Sequence, residues 1–162
     1  PVQKQWLFET LKSSRGTFKV LASPVPWTEG VKTTGKSANR GFSTDPWDGF
    51  PQEREEIFTF LDANKVEGVF LVAADRHRTD LRKTFRDTTY DLIEFESSRL
   101  TNYHVHSVVK TPGFVWGYNE TCSFGLMRFD TAQDDPQVVF ECVSIDGDVI
   151  HSHELRASKL RY

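Results

Sequence analysis

The run Gly68-Val69-Phe70-Leu71-Val72-Ala73-Ala74 carries no polar side chain, and it stops abruptly at Asp75-Arg76-His77-Arg78. A run this short, bounded by polar residues, reads as a strand buried on both faces. Strands of that kind belong to α/β sheets, where a helix crosses over between parallel neighbours. In such sheets ligands gather beyond the carboxyl ends of the parallel strands. The run therefore sets both the architecture and the question of why it ends in an acid, an imidazole and two guanidiniums.

The flanking segments fit that frame. Trp6, Leu7, Phe8 and Leu11 fall on one side of a helical wheel, which predicts an amphipathic helix over 2–14 that Ser13-Ser14-Arg15-Gly16 stops. Residues 17–22 read as a short strand. Residues 23–50 form a long irregular stretch, and a loop of that length inside a compact domain is usually functional. Pro51 opens a second helix with Glu53, Glu55 and Glu56 near its start, as the helix dipole prefers. Ile57, Phe58, Phe60 and Leu61 give it an apolar side, and Asn64 ends it. Two short strands with a helix between them predict a parallel pair. Beyond residue 90 the pattern changes. Residues 90–96, 123–129 and 137–143 read as strands, and Asp146-Gly147 supplies the turn of a tight hairpin over 143–150. The expected fold class is α/β, a short β-α-β start followed by an antiparallel β meander. Residues 1–162 form a single unit with no repeat or linker.

Composition narrows the function classes. Twenty basic against twenty-three acidic residues give a net charge of −3, which is no footprint for duplex nucleic acid. No apolar run approaches the roughly 20 residues that span a bilayer. The opening PVQKQWLFETLK lacks the apolar core of a signal peptide. It enters a helical pattern directly from Pro1, so we expect an upstream segment to be missing. Cys122 and Cys142 lie on segments that pair as a hairpin. They read either as neighbours or as two buried thiols, and they do not fix the compartment.

Asp75 and His77 are the candidate catalytic and metal-binding residues. On an extended segment, alternate residues point the same way, and a carboxylate beside an imidazole makes a ligand pair. Arg76 and Arg78 are candidate substrate contacts, since guanidinium matches phosphate oxygens. The competing reading is a surface salt-bridge cluster of Asp75 and Asp80 with Arg76 and Arg78. Two H-x-H pairs are rivals. His104 and His106 follow a polar loop and stand as a second metal candidate. His151 and His153 follow a hairpin, where a solvated sheet edge is the expectation. There is no glycine-rich phosphate loop and no G-x-S-x-G turn.

These residues resemble a family. Five collinear blocks, from QWLFETLKSSRGTFKVLASPVPW (5–27) through DPWDGFPQEREEIFTFL (45–61), GVFLVAADRHRTDL (68–81) and YDLIEFESSRLTN (90–102) to the segments after residue 118, are similar to the C-terminal part of PhoD-like alkaline phosphatases and phosphodiesterases. These lie within the calcineurin-like metallophosphatases. The resemblance implies the C-terminal half of a metallophosphatase-type α/β sandwich, with the N-terminal part absent. It implies hydrolysis of phosphate mono- or diesters by a metal-activated water. Two metal ions are implied, calcium and iron by resemblance, with zinc or manganese as alternatives. Asp75 and His77 match the family's last metal-binding block, with Ala74 where a glycine usually stands. Trp47 and Asp48 match a loop beside the active site, where they are expected to support substrate binding. The family's earlier metal blocks are not in this sequence. The chain alone is therefore expected to bind metal weakly and to turn over poorly. A phosphate ester is the expected partner, together with a second copy of the chain or the missing N-terminal segment. Proteins of the family that the chain resembles are often exported, which leaves an extracytoplasmic location open, and the sequence itself does not fix the compartment. The alternative reading is a non-catalytic binding or assembly module with a vestigial metal site.

Overall fold

Two α-helices and eight strands form the framework of the described residues. The computed structural model describes residues 2–28, 46–87, 89–101 and 103–162; most of the long loop read from the sequence over 23–50 lies outside them. Helix α1 spans Val2–Ser13 and α2 spans Pro51–Ala63. Proline sits at the first position of α2, where its missing N–H costs nothing. The strands are β1 (Lys19–Ala22), β2 (Val69–Ala73), β3 (Thr79–Thr84), β4 (Leu92–Ser97), β5 (Phe114–Tyr118), β6 (Ser123–Asp130), β7 (Gln137–Ser144) and β8 (Val149–Arg156). No described helix is long and apolar enough to cross a membrane.

A five-stranded sheet runs in the order β1-β2-β4-β3-β5, and a three-stranded sheet in the order β6-β7-β8. β1 and β2 are the predicted parallel pair, with Ala22 beside Val72. The expected meander is confined to β6, β7 and β8, which pair antiparallel throughout. β4 instead joins β2 in parallel, and β3 pairs antiparallel with β4 and β5. The sequence reading did not expect β3 or β5. β3 reads Thr-Asp-Leu-Arg-Lys-Thr, and its charged positions hid a strand whose Asp80 and Arg82 are nevertheless buried.

The central sheet is covered on both faces, which is why β2 is apolar along its whole length. On one face Phe95 meets Phe70 edge-on at 5.8 Å and Phe140 of β7 at 4.8 Å between ring centroids. Each such ring contributes about 1.5–3 kcal/mol by leaving water. On the other face Leu71 and Glu94 are register neighbours. Glu94 reaches the Trp27–Thr28 backbone, and Trp27 packs at 6.2 Å from Phe58 of α2. Phe8 stacks on Phe60 at 4.1 Å and ties α1 to α2. Gly68 leads into β2 at φ 75°, with no room for a side chain: a Cβ there would stand 2.1 Å from the Thr17 carbonyl oxygen. Cys122 and Cys142 are both free thiols, the second fully buried on β7.

Candidate functional site

β2 ends at Ala73, and the chain does not continue extended. Asp75 has φ 81° and His77 has φ 47°, both in the left-handed region. The expectation that alternation along an extended segment aligns these two side chains is therefore corrected: they are presented by a tight turn. Left-handed non-glycine residues cost on the order of 1–3 kcal/mol each, and such strain concentrates at functional sites. Ala74 is not among the positive-φ residues, so the turn accepts alanine at this position. The Arg76 N–H donates to Glu96 Oε1 at 3.1 Å, and the Ser98 N–H donates to the Arg78 carbonyl at 3.2 Å, which fastens the turn to β4.

Within the turn, the Asp75 carboxylate lies 3.3 Å from the buried Arg76 guanidinium. His77 Nδ1 lies 3.0 Å from the His104 carbonyl oxygen. A carbonyl only accepts, so Nδ1 carries the proton and Nε2 is the ligand-type nitrogen.

The segment that supplies that carbonyl is held from the sheet. Arg78 is 0% exposed; its Nε–H donates to Asp80 at 2.7 Å and its NH1 to the Ser107 carbonyl at 2.9 Å. Arg82 donates to Asp80, to the Val109 carbonyl at 2.6 Å and to the Thr111 hydroxyl at 3.1 Å. Asn119 donates to the His106 carbonyl at 3.1 Å. These bonds bring His104 and His106 against His77. The ring centroids lie 5.5 Å (His77–His104), 5.3 Å (His77–His106) and 4.8 Å (His104–His106) apart. One ligand nitrogen from each ring lies within 4.8 Å of the others. Two constellations that the sequence presents as rivals are one cluster. Asp75 does not belong to that group of three. The expected phosphate clamp at Arg78 is corrected as well: its guanidinium is buried and committed to Asp80 and to the 107 carbonyl. The alternative of a surface salt-bridge cluster is half realised, because Arg78–Asp80 is an ion pair but an interior one.

Beneath the turn lies a buried charged layer. Asp80 stands opposite Glu96 and Arg82 opposite Glu94 across the β3–β4 ladder. Burial, reinforced by the Asp80 carboxylate, pushes Glu96 up to about 8, against the pull of the Ser98 hydroxyl, Arg78 and the Arg76 N–H. Burial also raises Glu94, although Thr28 and the Trp27 and Thr28 N–H groups hydrogen-bond it. Burial lowers His106, and the nearby His104, His77, Arg76 and Arg78 add to the effect. A Cβ on Gly117 would stand 2.7 Å from Asp80 Oδ1, so β5 can pass this layer only with glycine there.

Trp47 and Asp48 occupy a short 3-10 turn, Trp47–Gly49, beyond the carboxyl end of β1. Trp47 stacks on Trp27 at 4.4 Å and donates its indole N–H to Ser23 Oγ at 3.0 Å, while Asp48 lies 3.9 Å from Arg54. With Ser23, Pro24 and Trp6, Trp47 lines a groove whose walls include none of Asp75, Arg76, His77 or Arg78. Because β1 and β2 are parallel neighbours, this groove and the Asp75 turn share one edge of the sheet. The expected solvated edge at His151 and His153 is also corrected. Their register opposite Cys142 and Phe140 turns both inward. His151 stacks on Trp116 at 4.2 Å, and His153 lies 5.9 Å from Phe95.

The donors at the turn fit a metal ion. Three imidazole nitrogens converge, and one ring is already oriented by a carbonyl, the usual outer partner of a metal-ligating histidine. The two-ion site that the resemblance implies takes further ligands, which the described residues do not gather here.

Comparison with known proteins gives the family and the fold. The family model for PhoD-like phosphatases matches residues 1–133. Alkaline phosphatase D of Bacillus subtilis (strain 168) is 30% identical over 105 residues, covering 62% of this chain and 18% of that protein. A solved structure of PhoD superposes with a TM-score of 0.70 at 18% identity, covering 99% of this chain and 34% of that one. The likeness to that structure gives the fold alone: a mixed α/β sandwich. The chain spans about a fifth of the length of the curated relative and about a third of the solved one.

Proposed function

This chain belongs to the PhoD-like phosphatase family, and from that premise we propose that the turn after β2 is part of a metal-dependent site for hydrolysing phosphate mono- or diesters. The observation that carries the reading is the strained Asp75-Arg76-His77 turn at the carboxyl edge of parallel strands, with an oriented imidazole at its tip. Asp75 and His77 would hold metal. When bound, such ions supply Lewis acidity toward a phosphoryl oxygen and lower the pKa of water. The chain's own residues do the positioning. Arg76, itself buried, orients the Asp75 carboxylate from 3.3 Å. Arg78 fixes the segment that carries His104. Trp47 lines the neighbouring groove on the same sheet edge, Asp48 follows it in the same short turn, and both would support a substrate's ester group.

The test is metal-dependent hydrolysis of an aryl phosphodiester by the full-length protein and by its Asp75→Asn and His77→Ala variants. Losing an outer partner of a ligand costs 10–100-fold in many metal sites, so losing a ligand is expected to lower kcat/KM by at least about 100-fold. Wild-type hydrolysis in both variants would overturn this reading of the turn, and no metal-dependent hydrolysis by the full-length wild type would favour the non-catalytic binding module.

A further inference from the structure

We propose that His77, His104 and His106 form a three-imidazole site for a zinc-class divalent ion, with the segment between β4 and β5 supplying two of its three ligands. The proposal deepens the reading of the Asp75–His77 turn and rests on it only for the role of His77.

Three observations carry it. The first is convergence: nitrogens from residues far apart in the chain lie within 4.8 Å of one another. Tetrahedral zinc with nitrogens at about 2.0–2.1 Å sets its ligand atoms about 3.3 Å apart. Closing a separation of 4.8 Å therefore takes about 1.5 Å, a shift of the size that small ring rotations supply, and the His104 ring is exposed. The second is preorganisation. His77 is oriented through Nδ1 by the His104 carbonyl, and His106 is held through its own carbonyl by Asn119 and through its neighbour's carbonyl by Arg78. The third is contrast with the other H-x-H pair. His151 and His153 have the same spacing but are consumed by Trp116 and Phe95 between the sheets. Spacing alone therefore does not make the site; the buried arginines that fold the loop onto the turn do.

The donor set decides the ion. Calcium takes six to eight oxygens, whereas imidazole suits zinc and its borderline neighbours. Three protein ligands leave a fourth tetrahedral position open, the arrangement of catalytic rather than structural zinc. A water or a phosphoryl oxygen fits that position.

The experiment uses the metal-free full chain. Cobalt is titrated and followed by visible absorption, zinc is titrated by calorimetry, and calcium serves as the hard-ion comparison. The expected result is one cobalt per chain with the intense bands of tetrahedral coordination, displaced by zinc and not by calcium. His104→Gln and His106→Gln should each weaken binding by at least about 10–100-fold. His104 is exposed, so an unchanged melting curve of metal-free His104→Gln would assign its loss to the ligand. No cobalt or zinc binding by the wild type, or wild-type binding in both variants, would overturn the proposal. Cobalt binding lost only in Asp75→Asn would sink this site and leave the phosphoester reading standing. Intact cobalt binding without any phosphodiester hydrolysis would sink that reading and leave this site standing.

Discussion

Toward the three-stranded sheet, β2, β3 and β4 present Phe70, Leu81 and Phe95; toward the helices, the same β3 and β4 present Asp80, Arg82, Glu94 and Glu96. Both faces are buried, but they are held in different ways. The aromatic face needs chiefly matching shape, since the burial of apolar surface is non-directional. The charged face needs particular partners. Glu94 takes the Trp27 and Thr28 N–H groups, and Arg78 and Arg82 take the carbonyls of Ser107 and Val109. Removing these charges from water is costly, and a hydrophobic replacement is often as stable. What the charges supply is placement: each fixes a segment that borders the turn after β2. One face holds the domain together, and the other positions the candidate site.

The largest expected difference between the faces comes from Asp80. Asp80→Ala leaves two buried guanidiniums without their shared carboxylate, which should cost about 3–5 kcal/mol in urea unfolding. Its neighbour Leu81 points to the aromatic face, and Leu81→Met should cost less than about 1.5 kcal/mol. Equal costs would break the comparison.

A smaller effect separates the faces by pH. Glu96 titrates at about 8 in the folded protein against an ordinary 4.5. Between those values the folded state holds a proton that the unfolded chain has released. This contribution to stability is thus fully present below about 4.5 and is lost as pH rises through about 8, at up to roughly 1.4 kcal/mol per pH unit. Glu96→Gln should flatten that slope in unfolding curves taken across the window. A slope unchanged by the variant would show that burial and the Asp80 carboxylate do not hold Glu96 in that state.

The parts of the fold that were legible in the sequence are those stabilised locally. The uninterrupted run of β2, the proline start of α2 and the Asp146-Gly147 turn all rest on near neighbours. β3 was not legible, because its buried Arg82 finds partners 27 and 29 residues away. The Asp75-Arg76-His77 block was visible as chemistry, but its geometry was misjudged, because extension past β2 was assumed where two residues turn left-handed. The union of His77 with His104 and His106 was hidden for the same reason as β3: it depends on Arg78 and Arg82 drawing a distant loop back. His151 and His153 looked solvated because β8 is an edge strand, yet an edge strand still has an inner face, and the register with β7 turns both histidines onto it.

The most direct test of the claim that the charged face positions the site is amide hydrogen exchange across residues 104–113. It compares Arg82→Met with Leu81→Ala, each under conditions where the protein is fully folded. The account predicts faster exchange in that segment for Arg82→Met, which loses the bonds to Val109 and Thr111, and unchanged exchange there for Leu81→Ala. Wild-type protection in Arg82→Met, or equal loosening in both variants, would contradict it.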